Sequence, residues 1–183
     1  MALIPDNELA FLAQRDEQYF TPLFDRFYKP VYRYFYFRLR QSEDAEDLTS
    51  ETFQKIYTNL HRFKECGTPF SAWIFKIARN CLIDATRKRK HDVIPMDALD
   101  PSVESHTDFD HQALDKTLLS ERLWAAIRTL PQKYQDVWNL KLSSGLCHRE
   151  IGEILGTNEN NVSVMVHRSL VMLKKRLSFS STQ

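Results

Sequence analysis

The sequence predicts an all-α protein: two small helical domains joined by a flexible acidic linker, the second domain carrying a helix-turn-helix. Apolar residues recur at spacings of three and four along most of the chain, which is the helical period. Only 4 glycines occur in 183 residues, which also favours long helices over a many-stranded sheet. Charge is segregated. The totals of 25 Lys+Arg and 24 Asp+Glu nearly cancel, but residues 1–60 carry net −3, 61–91 net +6, 92–118 net −6 and 119–183 net +4. Two basic blocks therefore flank an acidic one, and a basic block is a natural surface for a phosphate backbone.

Residues 1–16 form an N-terminal segment with no evident task. The first domain is expected over 17–91. It begins with Phe20, Leu23, Phe24 and Phe27 at helical spacing. Pro30 lacks an N–H, so it is expected to end that helix or to occupy the first turn of the next. The tract VYRYFYFRLR (31–40) is rich in β-prone residues, but Val31, Tyr34, Phe35 and Leu39 continue a buried helical stripe. Ser42 followed by Glu43 and Asp44 reads as an N-cap with acid in the first turn. The helix it opens, about 43–60, buries Ala45, Leu48, Thr52 or Phe53, and Ile56, and exposes Asp44, Asp47 and Glu51.

Gly67 and Pro69 then break the chain, giving a loop over about 62–70. The next helix, Trp73–Lys90, changes character along its axis. Trp73, Ile74, Ile77, Ala78, Cys81, Leu82 and Ala85 make one face for burial, while Lys76, Arg79, Asn80 and the run Arg87, Lys88, Arg89, Lys90 occupy the other positions. Residues 92–118 hold Pro95, Pro101, 7 acids and weak periodicity, which predicts a flexible tether. The second domain, 119–183, has a helix beginning at Pro131.

His148–Arg168, HREIGEILGTNENNVSVMVHR, has the pattern of a helix-turn-helix. Gly152 is small where two helices cross, and Gly156 suits the left-handed end of the first. Thr157 or Asn158 can cap the second helix. Val162, Met165 or Val166, and Leu170 are expected to pack it back on the first. Asn160, Asn161, Ser163, Val164, His167 and Arg168 then point outward, as residues entering a major groove do.

The cysteines Cys66, Cys81 and Cys147 lack any short pair spacing, which excludes a disulfide framework or zinc ribbon. No leader pattern or membrane-spanning stretch occurs, so a reduced, cytoplasmic chain without membrane insertion is expected. No Gly-rich phosphate loop or Ser/Cys–His nucleophile pattern occurs, so neither enzyme nor cofactor is expected. His106, Asp108, Asp110 and His111 are metal-ligating types, but a tether offers them no rigid second layer of support.

In chain order these pieces are an acidic-faced helix, a broken loop, a basic-ended helix, an acidic tether and a helix-turn-helix. The segments DAEDLTSETFQKIY (44–57), RFKECGTPFSAW (62–73) and WIFKIARNCLID (73–84) resemble bacterial RNA polymerase sigma factors, and the two-domain form resembles their extracytoplasmic-function (ECF) group. The resemblance implies that Asp44, Asp47, Leu48 and Glu51 dock on a coiled coil of the largest polymerase subunit. It implies that loop 63–70 and the following helix read the minus-ten promoter element. Phe63 and Asn80 would lie near a flipped base, with Lys64, Lys76, Arg79, Asp84, Arg87 and Lys88 on the same surface. It further implies minus-thirty-five contacts by Asn160, Asn161, Ser163, Val164, His167, Arg168 and Lys175. The partners so implied are core RNA polymerase, promoter DNA and an anti-sigma factor, with the tether threading the polymerase. A stand-alone helix-turn-helix regulator of duplex DNA is the alternative, but it leaves the first domain without a role.

Overall fold

The amphipathic stripes form the expected helices. The computed structural model describes residues 4–64, 67–92 and 122–179, and no strand occurs among them. The N-terminal half contains α1 (Asp6–Ala13), α2 (Phe20–Leu39), α3 (Ser42–Asn59) and α4 (Phe70–Asp92), with single 3₁₀ turns at Glu17–Tyr19 and Leu60–Arg62. The C-terminal half contains α5 (122–128), α6 (Gln132–Ser144), α7 (His148–Leu155) and α8 (Glu159–Phe179). The acidic tether and its His106, Asp108, Asp110 and His111 lie outside the described residues, except that Asp92 still belongs to α4.

Boundaries differ from the sequence expectation at Pro30 and at Ser42, and α4 opens at Phe70, three residues before Trp73. α2 runs unbroken through Pro30. Proline inside a helix costs about 3 kcal/mol, but buried residues on both sides of it, Leu23 and Phe27 before and Val31, Tyr34 and Phe35 after, hold the two halves as one helix. Ser42 is the first helical residue of α3 and not its cap. Gln41 takes the extended cap position without a side-chain bond.

α3 and α4 pack against α2, so Phe35, Ile56, Phe70, Ile74 and Phe75 meet in one core. Thr52 is fully buried there, and its hydroxyl has no hydrogen-bond partner among the described residues. Thr52→Val is therefore expected to stabilise the fold by roughly 1 kcal/mol, the scale of an uncompensated buried hydroxyl. A melting temperature equal to or below that of the parent chain would contradict this.

The helix-turn-helix is built on local bonds. Glu150 Oε2 accepts the Cys147 N–H at 2.7 Å, closing a capping box at the start of α7. Gly156 ends α7 with φ 70°, and the Thr157 N–H then donates to Gly152 O at 2.8 Å. Asn158 Oδ1 caps α8 by accepting the Asn161 N–H at 2.8 Å. A Cβ on Gly152 would stand 2.9 Å from Thr157 O, a backbone atom of the turn. Gly152→Ala is expected to cost about 1–3 kcal/mol by overpacking, read as a lower denaturation midpoint with unchanged slope.

α8 packs through Val162, Val166, Ser169 and Leu173, while Leu170 is exposed, contrary to expectation. The buried stripe contains a polar residue because the Trp138 indole donates to Ser169 Oγ at 2.8 Å.

The two halves touch. Phe37 of α2 stacks on Trp124 of α5 with ring centroids 3.6 Å apart. Asn139 of α6 donates to Tyr34 O at 3.0 Å in a buried bond, and Arg38 reaches Gln135 at 3.3 Å and Asp136 at 3.7 Å. Burial first, and then Asp136, push the Tyr34 phenol well above its usual range. The seam also carries a cost: burial and nearby Arg40 lower the Arg128 pKa.

Candidate polymerase-docking and nucleic-acid surfaces

On α3, Asp47 and Glu51 are exposed and Asp44 is half-buried; their spacing puts all three on one face. Leu48 is only 9 % exposed, so its side chain belongs to the core and the carboxylates form the outer stripe. Glu51 Oε1 pairs with Lys55 Nζ at 2.7 Å, and this bond is the main reason the Lys55 pKa is raised. The Lys55 ammonium also lies 3.5 Å from Cys81 Sγ, which ties α3 to α4.

α4 presents Lys76, Asn80, Asp84, Arg87 and Lys88 to solvent. Positions 76, 80, 84, 87 and 88 follow the i+4 and i+3 rows of a helix and form one polar edge. Arg79 departs from that edge. It is half-buried, and its charge acts on Tyr34 near the seam between the halves. Phe63 is 3 % exposed, with ring centroids 5.5 Å from Phe11, 5.0 Å from Phe70 and 5.7 Å from Trp73. Its ring supports the surface from beneath, and exposed Lys64 follows it in the chain.

Asn80 lies on the rim of an open hollow of about 330 Å³ lined by Lys55, Asn59, Arg62, Trp73, Ile77 and Cys81. An aromatic wall, amides and cations suit an unstacked base with its phosphate. Sequence reasoning found Asn80 but did not include Lys55, Asn59 and Arg62. Their signal is faint: a polar i, i+4, i+7 row that runs from α3 into the 3₁₀ turn. Trp73, read from sequence as core, is half-buried and lines this hollow and a second one of about 330 Å³. The second hollow is bounded by Arg62, Lys64, Thr68 and Lys76 on one side and by Glu153 and Ile154 of α7 on the other.

On α8, Asn160, Asn161, Ser163, Val164, His167, Arg168 and Lys175 are all exposed. Asn161 is also engaged locally, since its side chain donates to Thr157 Oγ1 at 3.0 Å and braces the turn. Among the described residues no group of three or more His, Cys, Asp or Glu is placed to hold a metal ion. No helix among them is long and apolar enough to cross a membrane.

Residues 23–91 match the family Sigma-70 region 2, and residues 120–173 match Sigma-70, region 4. The chain is 32% identical over 186 aligned residues to the ECF RNA polymerase sigma factor SigW of Bacillus subtilis, covering 97% of this chain and 98% of that protein. The chain belongs to the ECF sigma factors. A second ECF relative of this sigma factor, BldN of Streptomyces coelicolor, is 31% identical over 93% of this chain and 65% of its own length. The fold matches that of CnrH, solved in complex with the cytosolic domain of CnrY, with TM-score 0.66 and 22% identity over 94% of this chain and 97% of that one. The helix-turn-helix of this sigma factor falls inside the region 4 match. The carboxylate stripe, the hollow at Asn80 and the basic edge of α4 all fall inside the region 2 match.

Proposed function

We propose that this sigma factor binds core RNA polymerase through the α3 carboxylates and directs it to specific promoters. In this reading α8 enters the major groove of the minus-thirty-five element, and the loop 63–70 with α4 captures the opening minus-ten strand. The proposed domain division is 17–91 for docking and minus-ten capture and 119–183 for the minus-thirty-five element, with 92–118 as linker between them. Asp44, Asp47 and Glu51 offer a stripe of negative charge for basic residues on the polymerase, with the edge of Leu48 beside it. Lys76, Arg87 and Lys88 hold flanking phosphates, and Asn80 reads the edge of one extruded base.

The observation that carries the reading is the hollow at Asn80. Its aromatic, amide and cationic lining suits a flipped nucleotide, and it adjoins a basic helical edge inside the Sigma-70 region 2 match. Opening then rests on binding energy alone. Stacking and pocket contacts offset the cost of unpairing, and no step needs a catalytic residue or cofactor. A stand-alone duplex regulator would leave the stripe and the hollow unused. The proposed working compartment is the cytoplasm, where polymerase and promoter are found. CnrH was solved with a protein partner bound, and an anti-sigma factor is the corresponding partner proposed here.

The test is run-off transcription from pooled genomic fragments with purified core polymerase, with and without the chain. Discrete new transcripts that require the chain are expected. Tight binding of the chain alone to duplex promoters, with no transcript added to those of core, would overturn the reading.

A further inference from the structure

The N-terminal helix α1 holds both ends of the connection between α3 and α4. Gln14, its C-cap residue, donates from one side-chain nitrogen to two carbonyls, Leu60 O at 2.9 Å and Phe63 O at 2.9 Å. Asn7, in the first turn of α1, accepts the Phe70 N–H through Oδ1 at 2.8 Å. Phe70 opens α4, so this amide is one of the first-turn donors that have no partner within their own helix. Its cap comes from a residue 63 positions earlier, while nearby Thr68 turns its hydroxyl toward Glu153 at 3.5 Å.

Between the two attachment points the Phe11 ring packs on Phe63. α1 is itself anchored by buried Leu9 and Ala10, by the Asp6–Arg26 ion pair, and by Arg26 donating to Ile4 O at 2.9 Å. The two held ends of this connection carry Arg62 and Lys64 on one side and Thr68 on the other, and the second leads into Trp73 and Asn80; all of these line one or both hollows.

We infer that Asn7 and Gln14 are positioning residues for minus-ten recognition: α1 sets, from outside, where the two ends of the base-capturing loop stand. The inference rests on the proposed role of that loop. Neither side chain touches DNA. Gln14 fixes where the chain leaves the 3₁₀ turn, and Asn7 fixes where α4 begins. Together they set the distance and angle between Arg62 on one wall of the hollow and Asn80 on the other. A displacement of about 1 Å in such a constellation is enough to spoil recognition.

The experiment uses the full chain with core polymerase on a promoter that the wild type transcribes, and on variants carrying each base in turn across its minus-ten element. Asn7→Ala removes the acceptor and Asn7→Asp keeps it. Gln14→Glu keeps the shape but loses the donor. Asn7→Ala and Gln14→Glu are each expected to lower open-complex yield about tenfold, the scale of one or two lost hydrogen bonds. Both should flatten discrimination among bases toward the level of Asn80→Ala while co-purification with core stays normal. Asn7→Asp should restore both yield and discrimination.

Base discrimination separates positioning from a loss of fold, since a merely less stable chain opens fewer promoters without changing which base it prefers. Intact discrimination in Asn7→Ala and Gln14→Glu, or an Asn7→Asp variant as defective as Asn7→Ala, would overturn the inference alone. Wild-type opening and discrimination by Asn80→Ala would overturn the underlying reading of the loop together with it.

Discussion

Asp47→Arg is expected to abolish co-purification with core RNA polymerase while leaving the helical fold intact. Asp47 is exposed in the middle of the α3 stripe and has no ion pair among the described residues. Its neighbour Glu51 is already engaged by Lys55 at 2.7 Å, so the net negative field of the stripe depends heavily on Asp47. Reversal replaces an attraction by a repulsion at close range. Breaking a charge pair desolvated in an interface costs about 2–5 kcal/mol or more, which corresponds to a loss of affinity of at least about thirtyfold. Exposed substitutions of this kind usually change stability by no more than about 0.5 kcal/mol. Pull-down with core polymerase, paired with thermal melting by circular dichroism, checks both halves of the expectation. Normal co-purification would remove the docking role from α3.

The second large effect is expected at Asn80. Asn80→Ala should reduce open-complex formation by about 10- to 100-fold, the scale of a lost base-edge contact worth 1–3 kcal/mol. Core binding should be unchanged, because Asn80 lies on α4 and the carboxylate stripe on α3. Permanganate reactivity of unpaired thymines reads the opening directly, and gel filtration with core reads the binding. Equal opening by variant and parent would sink the role given to Asn80.

Much of this architecture was readable in the sequence because local periodicity determines which face of a helix is buried. The stripe on α3, the polar edge of α4 and the two glycines of the helix-turn-helix are consequences of spacing, and the structure places them accordingly. Readings failed where a distant partner overrode a local rule. Pro30 reads as a break, but packing on both sides keeps α2 whole. Leu170 fits an apolar stripe better than Ser169 does, yet Ser169 is buried because Trp138, 31 positions earlier, donates to it.

The candidate site divides in the same way. Asn80 and the basic edge stand out by residue type within one helix. Lys55, Asn59 and Arg62 belong to another helix and turn, and only folding brings them to the same hollow. Asn7 and Gln14 gave no signal at all, because their partners lie 63, 46 and 49 positions away.

Glu153 and Ile154 of α7 form one wall of the hollow that also holds Lys64, Thr68 and Lys76. On the proposed reading, a minus-ten strand held along the basic edge of α4 passes a carboxylate supplied by the same molecule. A promoter already held by α8 meets this wall as a tethered ligand, at an effective concentration on the order of millimolar, whereas a stray single strand meets it only at its bulk concentration. Two-point engagement therefore favours the promoter that α8 has already bound.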